Sequence, residues 1–119
     1  MASENTGIRR IILAAKYSWQ GLTTCYRKEA AFRQEMWLAV LLAPVALWLG
    51  DNNLERALLL GSLFMILIVE LLNTGIENTV DRFGGEQHKL SGRAKDMGSA
   101  AVMLTLVMTS MIWLLLLLD

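Results

Sequence analysis

At 119 residues the chain is one domain by length, and 55% hydrophobic residues with a mean hydropathy of +0.44 make it too apolar for a soluble protein of that size. A formal net charge of zero excludes bulk electrostatic attraction to nucleic acid. Cys25 is the only cysteine, which excludes an intrachain disulfide and a thiolate metal cluster, and it reads as a small packing residue. The composition suits a small bundle of membrane helices.

Met1 to Gly7 is polar, and basic and apolar residues alternate after it. No cleavable signal peptide is therefore expected, and the first membrane helix acts as its own insertion signal. Over residues 7–28, Ile8, Ile11, Ile12, Ala15, Trp19 and Leu22 repeat at helical spacing, with Arg9, Arg10, Lys16 and Gln20 largely off that line. This predicts an amphipathic helix lying on the membrane surface, with a simple anchor as its plainest role.

Met36 to Gly50 is apolar but only about 22 Å long as a helix, short of a bilayer core of roughly 30 Å. A first span over 30–50 is long enough if Arg33 and Glu35 reach back to the headgroups. Trp37 and Trp48 would mark its interfaces, and Pro44 would kink it. A second span is predicted over 55–82 and a third over 94–118, with Trp113 near its far end. Gly84-Gly85 and Ser91-Gly92 read as turns in the connecting loop, and Asp96 as a cap on the third span.

Arg9, Arg10, Lys16, Arg27, Lys28 and Arg33 precede the first span, and Arg82, Lys89, Arg93 and Lys95 lie between the second and third. Only Arg56 lies in the turn between the first two. The positive-inside rule then places the N-terminus and the loop around 82–95 in the cytoplasm and the C-terminus outside.

The apolar run Ala57 to Val69 ends at Glu70, followed by Asn73, Thr74, Glu77 and Asp81. At about 100° per residue these polar positions form one stripe of a helix. A carboxylate at hydrocarbon depth costs roughly 2.5 kcal/mol or more, which makes Glu70 a functional hypothesis by default. Glu77 lies near headgroup level and Glu70 about 10 Å deeper. Carboxylates near the interface suit a hard cation such as Mg²⁺ with phosphate oxygens, and a deeper one suits a general base. The plainer readings are interhelical hydrogen bonding for Glu70 and Asn73, snorkelling for Lys95 and an exposed loop residue for His88. No nucleotide-binding glycine motif is present.

Glu70-Leu71-Leu72-Asn73-Thr74-Gly75-Ile76-Glu77 with Val80-Asp81-Arg82 resembles the signature of the small integral-membrane bacterial diacylglycerol kinases. Three further blocks agree: Tyr17-Ser18-Trp19 with Gly21-Leu22, Glu29 to Glu35, and Leu90 to Ala101. The resemblance covers nearly the whole chain. It implies an all-α membrane protein in the bacterial inner membrane, with a surface helix and three transmembrane helices, assembled as a homotrimer with active sites between subunits. It implies transfer of the ATP γ-phosphate to diacylglycerol, with Mg²⁺, to give phosphatidic acid.

Residue by residue, the resemblance makes Glu70 the general base, supported by Asn73, and Glu29 and Glu77 the metal carboxylates. Arg10, Tyr17, Glu29, Glu77, Glu86, Gln87, His88, Lys95 and Asp96 fall where the family contacts ATP. The lipid side would include Arg10, Ala14, Ala15, Lys16, Tyr17, Ser18, Trp19, Ala31, Phe32, Arg33, Gln34, Glu35, Trp48, Arg56, Glu70, Ser99 and Trp113. Gly75 stands where the family usually has alanine, at a helix cost of about 1 kcal/mol where exposed. Lys16 and Thr23-Thr24-Cys25 also depart from the pattern. An undecaprenol kinase of the same family is the near alternative, though Ser91 to Asp96 is more similar to the diacylglycerol type. From another class, the alternative is a small proton-coupled transporter built around one membrane glutamate. It is opposed by polar groups crowded on one side and by a wholly apolar outer half of the second span.

Overall fold

The computed structural model describes residues 7–83 and 89–119. Regular structure in that range is α-helical throughout: α1 (Gly7–Lys28), α2 (Ala30–Leu49), α3 (Asn53–Asp81) and α4 (Lys89–Leu118). Helices α2, α3 and α4 are each long and apolar enough to cross a membrane. The 29 residues of α3 extend about 43 Å, longer than a bilayer core, so its polar end reaches beyond the hydrocarbon.

Helix α3 is the hub of the fold, packing against each of the other three. Leu59, Leu63 and Ile66 of α3 form the apolar core with Phe32 and Ala46 of α2. Most other large apolar side chains point outward, including Phe64, Leu104 and Leu115. In water that surface would drive aggregation, whereas lipid tails are as apolar as the side chains themselves.

Polar side chains pin the seam between α3 and α4. The Trp113 indole N–H donates to Ser62 Oγ (3.1 Å), whose hydroxyl donates to the Leu59 carbonyl (2.7 Å). The hydroxyls of Thr105 and Thr109 donate to carbonyls of their own helix, as membrane helices require of buried polar groups. Trp113 therefore spends its one donor inside the bundle.

The turn from α2 to α3 is closed by side chains. Asn52 accepts from the Glu55 N–H (2.9 Å), and the Glu55 carboxylate accepts from the Asp51 N–H (3.0 Å), a reciprocal helix start. Arg56 donates to the Leu47 carbonyl left open at the end of α2 (3.1 Å). It crosses directly over Gly50, where a Cβ would stand 2.6 Å from Arg56 Cγ and 3.0 Å from its backbone N. Backbone cannot swing aside as a side chain can. Gly50→Ala is expected to lower unfolding stability by about 1–3 kcal/mol, the usual cost of overpacking. An unchanged denaturation midpoint in detergent would contradict this.

The junction of α1 and α2 is a single extended residue, Glu29 (φ −115°, ψ 112°), whose carboxylate does not cap α2. Arg33 donates to the Tyr26 and Arg27 carbonyls (2.8 and 2.9 Å), because the end of α1 leaves acceptors within range of its guanidinium. Trp37 adds a bond from its indole N–H to the Tyr26 hydroxyl (2.9 Å). Pro44 does not break α2, which runs unbroken to Leu49.

Helix α4 corrects two expectations. It begins at Lys89, so Ser91-Gly92 is helical and not a turn, and Asp96 lies inside the helix and does not cap it. A glycine in a helix costs about 1 kcal/mol. Docking of this first part of α4 on α3, through Gly98 against Asn73 and through the Lys95–Asp81 pair, outweighs that cost. Gly84 and Gly85 lie outside the described residues.

Candidate active site

The polar stripe of α3 faces into the bundle as its spacing predicts. Glu70, Asn73 and Thr74 are buried, each 8% exposed, Glu77 is half-buried and Asp81 is exposed. Glu70 does not stand alone. Glu35 of α2 turns inward beside Glu70, with its Oε2 buried and without a hydrogen-bond partner among the described residues. Two neighbouring carboxyls can share a proton, so the pair is a place where a proton can be held. Glu35 was expected to reach outward to the headgroups; facing Glu70 gives it a partner that the apolar face of α2 lacks.

One turn on, Asn73 Nδ2 donates to Glu77 Oε1 (2.9 Å) and fixes that carboxylate. Glu29, at the α1–α2 junction, and Glu77 both lie close enough to Glu70 to repel it electrostatically. Four carboxylates from three parts of the chain thus converge at one end of the bundle.

Among the described residues no group of three or more His, Cys, Asp or Glu is placed to hold a metal ion. The donor set fits Mg²⁺ carried by a nucleotide, which takes one or two protein carboxylates and completes its shell with phosphate oxygens and water. Glu29 and Glu77 are carboxylates of that kind.

Beside the acidic cluster, α1 and the polar half of α3 enclose a cleft of about 780 Å³, within the range of small-molecule sites. Tyr17, Gln20, Thr24 and Lys28 line it from α1, Thr74, Asn78 and Asp81 from α3, with Glu29 and Arg82 at its edge. Sequence reasoning placed Tyr17 and Glu29 near a nucleotide and missed Gln20, Thr24, Lys28, Asn78 and Arg82. The signal existed, since Tyr17, Gln20, Thr24 and Lys28 recur three or four residues apart on one helix face.

Lys95 Nζ sits 3.0 Å from Asp81 Oδ1, joining α4 to α3 at the polar end and standing at the rim of this region. Cys25 is buried against Thr74, and burial pushes its thiol above the ordinary cysteine range, as suits a packing residue. Asp96 is exposed on α4, while Glu86, Gln87 and His88 lie outside the described residues.

The residues expected on the lipid side scatter. Arg10, Ala15, Lys16, Ser18 and Trp19 are exposed along α1, Ala14 is half-buried, and the Ser18 hydroxyl is satisfied by the Ala14 carbonyl. Ala31 and Gln34 are exposed on α2, but Phe32 is 0% exposed and offers no side-chain surface outside the core. Ser99 faces outward on α4 beside Met103 and Leu106. Trp48, Arg56 and Trp113 belong to the opposite end, with Arg56 about 21 Å along α3 from Glu70.

Fold and site together define a helical membrane protein with its ionisable chemistry gathered at one end, beside a cleft of nucleotide size. Residues 16–117 match the family model described as prokaryotic diacylglycerol kinase. The chain is 50% identical over 117 residues to a diacylglycerol kinase of Escherichia coli (strain K12), covering 98% of this chain and 96% of that protein. It is 49% identical over 114 residues to a diacylglycerol kinase of Pseudomonas aeruginosa (96% and 93%) and 40% identical over 107 residues to one of Helicobacter pylori (90% and 84%). The chain belongs to the prokaryotic diacylglycerol kinase family. Membership makes it an enzyme, a kinase.

Proposed function

We propose that the protein transfers the γ-phosphate of ATP directly to the free hydroxyl of 1,2-diacylglycerol, giving phosphatidic acid. The observation that carries this reading is a buried Glu70, paired with Glu35, at the polar end of a membrane helix and beside a nucleotide-sized cleft. The depth of Glu70 suits a hydroxyl that stays in the membrane, and the cleft suits a phosphate donor that arrives from water. Glu70 accepts the hydroxyl proton as the oxygen attacks the γ-phosphorus in line and the bond from that phosphorus to the β–γ bridging oxygen breaks, releasing ADP, and Glu35 shares the proton.

Asn73 holds Glu77 in position, and Glu29 and Glu77 are the residues that would bind Mg²⁺. Held there with ATP, the ion would supply positive charge to offset that of the phosphates. Lys95 and Arg10 supply positive charge toward the phosphates, and Tyr17 with Glu86, Gln87, His88 and Asp96 completes the nucleotide contacts.

The asymmetry of basic residues supports an inner-membrane protein with a cytoplasmic N-terminus and a periplasmic C-terminus. Three spanning helices are too few to enclose a site, which supports a homotrimer with sites between subunits and α1 lying on the membrane surface. The direct test is purified protein in a bilayer with labelled MgATP and a panel of 1,2-diacylglycerol, ceramide and undecaprenol. Label is expected on phosphatidic acid. Label on undecaprenol alone would move the acceptor to a polyprenol, and label on none would end the kinase mechanism proposed here.

A further inference from the structure

The buried amide of Asn73 is gripped on two sides. Its Nδ2 is engaged by Glu77, while its Oδ1 is buried and has no hydrogen-bond partner. That oxygen rests against Gly98 of α4. A Cβ at Gly98 would overlap Asn73 Oδ1, stand 3.2 Å from its Cγ and touch Ile76 Cδ1 at 3.7 Å.

Turning the amide over is no escape, because its carbonyl would then face the Glu77 carboxylate, acceptor against acceptor. The orientation of Asn73 is set by Glu77 and its position by the bare backbone of Gly98. From this geometry we infer that Gly98 is a positioning residue for the nucleotide site: the missing side chain lets α4 press Asn73 into the place from which it aims Glu77. The inference rests on the reading of Asn73 and Glu77 given above.

A methyl at Gly98 must either drive α4 away or twist Asn73 off Glu77, and in both cases the carboxylate loses its orienting bond. Loss of a partner that orients a metal-binding group typically lowers affinity 10–100-fold. Gly98→Ala is thus expected to weaken MgATP binding by about 10–100-fold, and Asn73→Ala is expected to do the same. In the double variant the truncated side chain at position 73 leaves room for the methyl. Asn73→Ala/Gly98→Ala should therefore bind no more weakly than Asn73→Ala alone.

The experiment uses the full chain in detergent micelles and measures equilibrium binding of the magnesium complex of β,γ-imido-ATP, alongside label transfer to diacylglycerol. Binding by Gly98→Ala at the parent's affinity would overturn the inference, and so would losses that multiply in the double variant. If Gly98→Ala does not fold, the double variant should, and its failure to fold would equally overturn it. A parent that labels no lipid alcohol strikes at the proposed function. A parent that labels diacylglycerol while Gly98→Ala is unaffected strikes only at this inference.

Discussion

Replacing Glu70 by glutamine is expected to lower kcat by about 10²–10⁴-fold while the KM for MgATP stays near the parent value. Glutamine keeps the shape of the side chain and can still hydrogen-bond Glu35, so packing at the α2–α3 contact should survive. What it loses is the ability to take a proton. The lipid hydroxyl then has to attack while still protonated, and the barrier rises at the chemical step and not at nucleotide binding. Initial rates of label transfer across a range of MgATP concentrations measure both constants. A Glu70→Gln variant with the parent's kcat would remove Glu70 from the role of base.

Glu77→Gln should fail in the opposite sense. The Glu77 carboxylate accepts from Asn73 Nδ2 (2.9 Å) and lies half-buried, about two turns nearer the water than the deeper Glu70. Neutralising a carboxylate that holds the metal should raise the KM for MgATP by at least about tenfold, since losing even an outer partner of such a ligand costs 10–100-fold. At saturating nucleotide kcat should fall less than in Glu70→Gln. Raising free Mg²⁺ should recover part of the loss if Glu77 binds the ion. No change in KM across a magnesium titration would show that Glu77 does not contribute to the metal site.

The contrast between these two variants follows from positions one can read in the chain. Glu70 and Glu77 are seven residues apart on one helix, so they share a face and differ in depth by about 10 Å. That relation is local, and a helical period reveals it without knowledge of neighbours. The same holds for the three long apolar helices and for the polar face of α1, where Tyr17, Gln20, Thr24 and Lys28 recur in register.

Features that depend on a partner distant in sequence were not legible in the chain. Ser91-Gly92 has the composition of a turn, yet it is helix, because α4 docks there on α3 and Lys95 meets Asp81. The charge of Arg33 and Glu35 does not reveal their partners, which are the open carbonyls of α1 for the one and Glu70 for the other. Phe32 lies among the residues that the family resemblance assigns to substrate, yet its side chain is wholly core.

By itself the amino-acid order determined the apolar spans, the asymmetry of positive charge and the acidic face of α3, because each depends on helical periodicity and on the cost of placing charge in hydrocarbon. Only the tertiary structure decided that Glu35 lies beside Glu70, that α1 and α3 line a cleft, and that Gly98 lies against the Asn73 amide that bonds Glu77. Those relations depend on how helices cross, and crossing is set by close packing of surfaces that no single segment contains.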